Sequence, residues 1–428
     1  MFGIKKTQPH LPGNESRPDR SGQKTRTLSS DHPSSGSPLE AKVAICLITL
    51  LGGLVTGADS LREGQKFLLV LRGGTVPRRR IDAPTNQGKA VPIKRKMTLS
   101  DCGKKGNETM QGKAADSLKS PRFCGIKTFM RMEYGRDLDS ADFVVVGIPF
   151  DTGASYRVGT RFGPEGIRNM SCLAAKPYNP VLNVGIFDEC RGFDYGDLEN
   201  IPGYMDDSFS LITKGMLPIY RHGVVPVAMG GDHSISLPEL RACAEVYGPV
   251  ALVHFDAHYD TIPEYFGKPY NHGTPFHHAA VEGLVDTAHS IHIGIREGLY
   301  SQQDRIHSAE LGYECITADE MYSMTEQEVI DRIRNRVGDR KVFLTFDIDF
   351  LDPAYAPGTG TPVPGGFSTA QALTIVRGLK GLPIVSYDMV EVSPPYDPTQ
   401  CTCIAAAGLM EDFLAQIAYR KKKGIDLT

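Results

Sequence analysis

A strong net charge, paired cysteines and a long apolar segment are all missing from this chain, and each absence excludes a class of protein. The formal net charge is only −3 over 428 residues, so no overall basic field indicates a nucleic-acid partner. The nine cysteines are scattered and odd in number, and none shows the two-residue spacing of zinc or redox motifs. We therefore expect reduced thiols in an intracellular protein that does not bind nucleic acid.

The chain also lacks an obvious membrane-spanning segment. A spanning helix needs about 20 consecutive apolar residues. The apolar run Val43–Val55 is shorter and contains Gly52 and Gly53, so no stable membrane span is expected. The 42 mostly polar residues before it do not fit a secretory signal, whereas the basic, serine-containing N terminus is compatible with an organelle transit sequence. We expect a cytoplasmic or mitochondrial location, and the sequence does not choose between them.

Composition divides the chain near residue 115. Residues 1–115 are rich in Ser, Pro, Gly, Lys and Arg and show no lasting helical or strand period, which predicts a poorly ordered N-terminal extension with a possible targeting role. Residues 116–428 alternate strand-like and helix-like stretches, which favours a catalytic domain of βα units around a mostly parallel sheet. Residues 1–120 hold 21 Lys/Arg and 10 Asp/Glu, leaving a net charge of −14 on the remainder, which is compatible with a cationic substrate.

The predicted elements are short and regularly spaced. The strand predictions are Phe143–Ile148, Val181–Phe187, Val224–Met229, Val250–Phe255, Ser290–Ile295, Val342–Phe346 and Ile384–Val390. The helix predictions are Pro164–Met170, Asp207–His222, Leu237–Tyr247, Thr325–Val337, Thr369–Leu379 and Ala405–Tyr419.

Three polar segments each follow one of these predicted strands. They are Gly-Gly-Asp-His-Ser at Gly230–Ser234, Asp-Ala-His-Tyr-Asp at Asp256–Asp260, and Asp-Ile-Asp at Asp347–Asp349. In a parallel α/β sheet, ligands and catalytic groups gather at the carboxyl ends of strands, so we expect the three segments to meet there.

The side chains in these segments are of the types that bind divalent cations. In an extended backbone, Asp256, His258 and Asp260 would point to one side, because alternate residues share a face. Carboxylates suit Mn²⁺ and Mg²⁺ and imidazole favours transition metals, so the mixed set favours Mn²⁺ or a close relative. Six such ligands, two of them shared, are enough for two metals about 3.5–4 Å apart.

These segments, together with four others, resemble the signature motifs of the ureohydrolase family, which includes arginase and agmatinase. The other four are Gly147–Asp151, Arg157–Pro164, Ala356–Pro362 and Glu391–Pro394. The resemblance covers roughly residues 120–420 and implies a three-layer α/β/α sandwich with a central mostly parallel sheet, as in arginase. It also implies two Mn²⁺ ions, with Ni²⁺ or Co²⁺ compatible with the same ligands, and a homo-oligomer, either a trimer or a hexamer.

The resemblance assigns a metal ligand to each of six positions. One ion would be held by His233, Asp256, Asp260 and Asp347. The second would be held by Asp256, His258, Asp347 and Asp349, so that Asp256 and Asp347 bridge the two ions.

Three catalytic roles follow from the same resemblance. Asp260 would orient the metal-activated water that attacks the guanidinium carbon, and His272 would donate a proton to the leaving nitrogen. Glu391 would bind the guanidinium, because a planar carboxylate pairs well with a planar guanidinium.

The motifs are closer to those of agmatinase than to those of arginase, which implies hydrolysis of agmatine to putrescine and urea. Tyr259 departs from this pattern, since many agmatinases have Thr at this position, and alternation predicts that its side chain points away from the metals. The segment Arg296–Ser301 also differs, so 4-guanidinobutyrate and 3-guanidinopropionate stay open as substrates. Arg296 or the Tyr300 hydroxyl would then serve the carboxylate tail.

Three functions of other classes compete with this hypothesis. A guanidine-cleaving enzyme with a Cys–His nucleophile would leave the metal ligands unexplained, and a binuclear phosphoesterase would usually have an Asn ligand and a phosphate-binding Arg or His. A non-catalytic family member acting as a binding protein is the third. Against it stand the six ligands, His272 and Glu391, all of which are intact.

Overall fold

Eight strands form one parallel sheet in the computed structural model, which describes residues 113–428. The strands are β1 Phe143–Ile148, β2 Gly192–Asp197, β3 Val225–Gly230, β4 Ala251–Phe255, β5 Ile291–Ile295, β6 Glu314–Thr317, β7 Val342–Asp347 and β8 Ile384–Val390. Their order across the sheet is β2-β1-β3-β8-β7-β4-β5-β6, and every pairing is parallel.

The central strands are buried along their whole length because both faces of the sheet are covered. Every residue of β1, β3, β4, β7 and β8 is buried. In β1, Val145 packs into one hydrophobic core, whereas Val144 and Val146 pack into a second core on the opposite face. Continuous Val, Ile and Phe runs are typical of parallel strands buried on both sides.

Eight helices of at least seven residues flank the sheet in the described part of the chain. They are α1 Gly163–Ala174, α2 Met205–Arg221, α3 Ser236–Tyr247, α4 Pro275–Val281, α5 Gln302–Glu310, α6 Glu326–Val337, α7 Thr369–Gly378 and α8 Cys401–Lys422. Apolar residues of α1, α6, α7 and α8 line one core, and those of α2, α3 and α4 line the other. The predicted three-layer α/β/α architecture is confirmed.

Helix α8 combines length with low polarity. By length and composition it is apolar enough to cross a membrane, but 78% of its most apolar window is buried inside the fold. Ala406, Leu409, Phe413 and Ile417 all lie in the core that α8 shares with the sheet. This burial is what a core helix of a parallel α/β fold shows.

One predicted strand is wrong and two strands were not predicted. The segment Val181–Phe187 is a turn at Asn183, the second strand of a two-residue hairpin, and the start of a single helical turn, Ile186–Glu189. A left-handed φ of 53° at Asn183 breaks any continuous strand there. Strands β2 and β6 lie at the two edges of the sheet, where their polar residues conceal the strand pattern.

Most of the predicted N-terminal extension, residues 1–115, lies outside the described residues, and so does its apolar run Val43–Val55. The boundary near residue 115 and the targeting role stay predictions.

Candidate metal centre and substrate pocket

The three polar segments meet at the carboxyl ends of four adjacent strands in the middle of the sheet. His233 follows β3, Glu391 follows β8, Asp347 ends β7, and Asp256 follows β4. These four neighbouring strand ends bring together residues that are up to 158 positions apart in sequence.

The loop after β3 is held by close backbone contact and by Asp232. A Cβ on Gly231 would lie 2.0 Å from the carbonyl oxygen of Phe150, so only glycine fits where the two loops touch. The Asp232 carboxylate accepts hydrogen bonds from the backbone N–H groups of Gly153 at 2.7 Å and Ser234 at 3.0 Å. These bonds place the intervening His233 over the strand ends.

One nitrogen of His233 faces three carboxylates. Its Nδ1 lies 3.0 Å from Asp256 Oδ2, 3.0 Å from Asp260 Oδ2 and 3.2 Å from Asp347 Oδ2. Burial alone would lower the pKa of His233, but the hydrogen bonds of these carboxylates raise it well above its ordinary value. A single ring proton cannot serve three carboxylates, whereas a divalent cation among them would satisfy all four groups.

A second group of ligand atoms lies beside the first. His258 Nδ1 is 3.1 Å from Asp349 Oδ2 and 3.2 Å from Asp256 Oδ1. Burial and the neighbouring carboxyls of Asp349 and Asp256 raise the pKa of Asp347 well above its ordinary value. Such crowding of buried carboxyl groups fits cation binding. Two groups of ligand atoms lie close enough together to hold a metal ion, namely His233, His254, Asp256 and Asp260, and Asp256, His258 and Asp349.

The alternation argument for Asp256, His258 and Asp260 holds only in part. Strand β4 ends at Phe255, and Asp260 has a left-handed φ of 51° rather than an extended one. The three side chains still converge, because the turned backbone at Asp260 directs its carboxylate to His233. A non-glycine residue in this conformation is strained, which is a recurrent feature of functional sites.

His272 and Glu391 form a pair at the edge of this cluster. His272 Nδ1 lies 3.1 Å from Glu391 Oε1, and His272 Nε2 lies 2.8 Å from the Ser155 hydroxyl. Burial favours the neutral imidazole, but the Glu391 carboxylate raises the pKa of His272 to about 9. The raised pKa favours the protonated ring, the state that a proton donor requires.

Glu391 keeps one oxygen free. Its Oε1 accepts from His272 and, at 3.0 Å, from the backbone N–H of His233, whereas Oε2 is buried with no hydrogen-bond partner among the described residues. A Cβ on Gly360 would lie 3.1 Å from Oε2, so the loop Ala356–Pro362 keeps the space beside it open. A buried acceptor without a partner, next to open space, suits a cationic donor such as a guanidinium.

A cavity of about 260 Å³ opens to the surface from His272 and the metal-ligand cluster. Its walls include His258, His272, Glu297, Tyr300 and Val363. Burial raises the pKa of the Glu297 carboxyl to about 7. No Lys or Arg lines the cavity within residues 113–428, so its only charged groups outside the metal cluster and the His272 pair are acidic.

Arg296 does not face a substrate. Its guanidinium donates to the backbone carbonyl oxygens of Gly294, Asp349, Phe350, Leu351 and Val363. The expectation that Arg296 binds a carboxylate tail is therefore wrong, because its donors are used to hold the loops after β5 and β7 together.

Tyr259 points away from the metal ligands, as alternation predicts. Its hydroxyl lies 3.8 Å from Cys315 Sγ, and its ring lines a smaller, mainly apolar cavity of about 190 Å³ beside the first. The backbone N–H of Tyr259 donates to Glu297 at 2.9 Å, so the backbone at Tyr259 helps to hold the Glu297 side chain at the wall of the larger cavity.

The sequence did not identify several residues of the site. Ser155 and Glu297 come from loops with no recognised chemical pattern, and Asp232 was seen only as part of a motif. His254 was hidden within an apolar strand, although its place two residues before Asp256 puts both side chains on the same side of β4.

A parallel α/β sheet with an Asp/His cluster that can hold metal ions at its carboxyl edge defines the class of this protein. Within that class the chain belongs to the Arginase family, whose profile matches residues 141–415. The predictions of an arginase-like fold, of membership in this family and of an enzyme are confirmed.

Curated relatives are similar over most of their length. The chain is 41% identical over 297 residues to a guanidinobutyrase of Pseudomonas aeruginosa, which covers 69% of this chain and 93% of that protein. It is 40% identical over 291 residues to a mitochondrial agmatinase of Gallus gallus, covering 68% and 85%. The solved structure of proclavaminate amidino hydrolase from Streptomyces clavuligerus aligns with a TM-score of 0.68 at 39% identity, covering 70% of this chain and 99% of that one.

Proposed function

We propose that the chain hydrolyses the guanidino group of a small linear substrate to urea and an amine. The observation that carries this proposal is the arrangement of Glu391: one oxygen is free and buried, and the other bonds a protonated His272 beside the Asp/His cluster. The arrangement provides a guanidinium acceptor and a proton donor next to a site for nucleophile activation.

The metal ligands in this proposal are His233, Asp256, Asp260 and Asp347 for one ion and Asp256, His258, Asp347 and Asp349 for the other. The imidazole and carboxylate donors favour two Mn²⁺ ions, and they also accept Ni²⁺ or Co²⁺. When bound, the two ions activate a water molecule as the nucleophile at neutral pH.

The residues of the chain then position the substrate and move a proton. Glu391 Oε2 accepts from the guanidinium and fixes its carbon, while Asp260 accepts a hydrogen bond from the attacking water. As the water oxygen forms a bond to the guanidinium carbon, one water proton passes to Asp260. The bond from that carbon to the alkylated nitrogen then breaks, the second water proton passes to His272 as the C=O of urea forms, and the released amine takes up the proton held by Asp260. His272 donates its proton to that nitrogen as it leaves, because an expelled amide anion would otherwise be too basic.

We propose agmatine as the principal substrate, giving putrescine and urea. The tail of agmatine carries a primary ammonium, and Glu297 is the charged residue on the cavity wall beyond the metal cluster. Its pKa of about 7 leaves the carboxyl ready to ionise when a cation approaches. The relative from Gallus gallus is named an agmatinase.

The second candidate is a guanidino acid such as 4-guanidinobutyrate or 3-guanidinopropionate. The hydroxyls of Tyr265 and Tyr300 lie 2.8 Å apart at the cavity wall, where both can donate to a carboxylate. The relatives from Pseudomonas aeruginosa are named guanidinobutyrase and guanidinopropionase.

A substrate panel tests the two candidates. The Mn²⁺-loaded protein is assayed for urea release from agmatine, both guanidino acids, arginine and guanidine, with and without EDTA. We expect EDTA-sensitive turnover of agmatine, and we expect Glu297→Gln to lower kcat/KM for agmatine about tenfold more than for 4-guanidinobutyrate. A preference for guanidino acids that Glu297→Gln leaves unchanged would reassign the tail site to the tyrosine hydroxyls.

We further propose that the protein works inside the cell as a homo-oligomer, either a trimer or a hexamer. Exposed apolar side chains at Phe162, Leu173, Tyr178 and Val181 support self-association. Light scattering after gel filtration gives the subunit number, and a monomeric mass would contradict this proposal. Whether the compartment is cytoplasmic or mitochondrial is tested by imaging the full chain and a variant without residues 1–112.

A further inference from the structure

Two buried histidines outside the proposed ligand set connect the sheet to the metal centre. His254 lies in β4 and His292 in β5, and the two are paired in register across the strands. Both are fully buried, and aromatic rings surround them: Phe276 is 4.4 Å from the His254 ring and Tyr313 is 4.6 Å from the His292 ring, between centroids. Polar rings in such an apolar layer destabilise a fold unless they are hydrogen-bonded.

Their hydrogen bonds form a chain that ends on Asp256. His254 Nε2 lies 2.7 Å from Asp256 Oδ2, and His254 Nδ1 lies 2.6 Å from His292 Nδ1. Because a carboxylate only accepts, Nε2 of His254 carries a proton. The two Nδ1 atoms share one hydrogen bond. His292 Nε2 is buried without a partner among the described residues, so the bond to His254 is what orients the His292 ring within this layer.

Asp256 is the carboxylate whose orientation matters most to the cluster. Its Oδ2 faces His233 Nδ1 at 3.0 Å, and its Oδ1 faces His258 Nδ1 at 3.2 Å, so each oxygen points to a different group of ligands. Rotation of this carboxylate would disturb both groups at once. The oxygen that His254 holds is the one shared with His233.

We infer that His254 and His292 are positioning residues: His292 fixes the ring orientation of His254, and His254 fixes the Asp256 carboxylate so that it bridges two metal ions. The inference rests on the proposed metal centre. Groups that orient metal ligands in this way typically change metal affinity about 10–100-fold when they are removed.

Two substitutions at His254 separate hydrogen bonding from packing. His254→Phe keeps an aromatic ring but removes the donor, whereas the side-chain amide of His254→Gln can replace Nε2–H. Mn²⁺ titration followed by EPR measures the affinity, the stoichiometry and the coupling between the two ions. We expect His254→Phe to weaken at least one Mn²⁺ about 10–100-fold and to lose the coupled two-ion signal, and His254→Gln to retain both within about threefold.

Substitutions at His292 test whether it acts on Asp256 through His254. In the wild-type background, His292→Phe should weaken Mn²⁺ binding, and His292→Asn, whose amide can either donate to or accept from His254 Nδ1, should retain it. In the His254→Phe background, His292→Phe should have no further effect, because His292 acts only through His254. Ser386→Ala is the matched control, since this buried hydroxyl on β8 bonds Tyr220 rather than a proposed metal ligand.

Thermal unfolding of the metal-free variants completes the test. If His254→Phe lowers the metal-free Tm but binds two Mn²⁺ with wild-type affinity and coupling, the histidines are only core residues and the inference is overturned. Independent, additive effects of His254→Phe and His292→Phe would also overturn it. If the wild-type chain itself binds no pair of ions, the proposed metal centre fails, which the wild-type titration alone would show.

Discussion

The backbone N–H of His233 donates to the Glu391 oxygen that also accepts from His272, at 3.0 Å and 3.1 Å. One carboxylate oxygen therefore connects the loop that carries a proposed metal ligand with the proposed proton donor. The same carboxylate keeps its second oxygen for the substrate. In the proposed mechanism, this single side chain at the end of β8 therefore positions the loop of a metal ligand, the proton donor and the guanidinium.

Neutralising this side chain should abolish most turnover without emptying the metal centre. Glu391→Gln removes the charge that binds the guanidinium and weakens the hydrogen bond to His272. We therefore expect kcat to fall about 10²–10⁴-fold. The measurement is steady-state urea release at saturating Mn²⁺, with metal content determined on the same sample. Activity within threefold of wild type would show that Glu391 is not the guanidinium ligand.

The loop beside Glu391 should be intolerant of a single methyl group. Gly360→Ala places a Cβ about 3.1 Å from Glu391 Oε2, where the guanidinium has to sit, and kcat/KM should fall about tenfold or more. Gly298→Ala is the matched control, because Gly298 lines the cavity of about 260 Å³ but a Cβ there meets nothing within 4 Å. Equal effects of the two substitutions would contradict this account of the pocket.

The metal-free protein should lose stability as pH rises through the pKa of His272. This pKa is raised from 6.5 to about 9, so the stabilisation is complete below about pH 6.5 and lost progressively up to about pH 9. The loss is at most about 3 kcal/mol in the free energy of unfolding. Urea denaturation between pH 6 and 9.5 measures it. His272→Asn should make the profile shallower by this amount but not flat, because the carboxylates around His233 also raise its pKa. An unchanged slope in His272→Asn would assign the loss to another group.

Substitution of Arg296 should affect folding and leave substrate choice unchanged. Its guanidinium donates to five backbone carbonyls, and Arg296→Met should cost about 1.5–3 kcal/mol of stability. The ratio of kcat/KM for agmatine to that for 4-guanidinobutyrate should stay within twofold. A selective loss of the guanidino acid would instead show that Arg296 reaches the substrate tail.

Much of this architecture follows from the sequence because the inner strands are unambiguous. Strands β1 and β3 are continuous apolar runs, a pattern typical of parallel strands that are covered on both faces. The edge strands cannot be recognised from the sequence, because β2 contains Gly and Asp and β6 is only four residues long. Their pairing with neighbours rather than local composition makes them strands.

The site shows the same division between local and long-range signals. Asp256 and His258 occur in a compact motif, so the sequence alone indicates that they can bind a metal ion. Ser155 reaches His272 across 117 positions, and His254 pairs with His292 across 38, contacts that no local pattern contains. The turned backbone at Asp260 is likewise imposed by its surroundings, with a left-handed φ that sequence alternation does not predict.

The most direct test of the central claim combines metal loading with urea release from agmatine. We predict that the metal-free chain binds two Mn²⁺ per subunit, releases urea from agmatine in proportion to the second ion bound, and loses this activity in EDTA. A chain that binds two Mn²⁺ per subunit and still releases no urea from agmatine, a guanidino acid, arginine or guanidine would contradict the proposed hydrolysis.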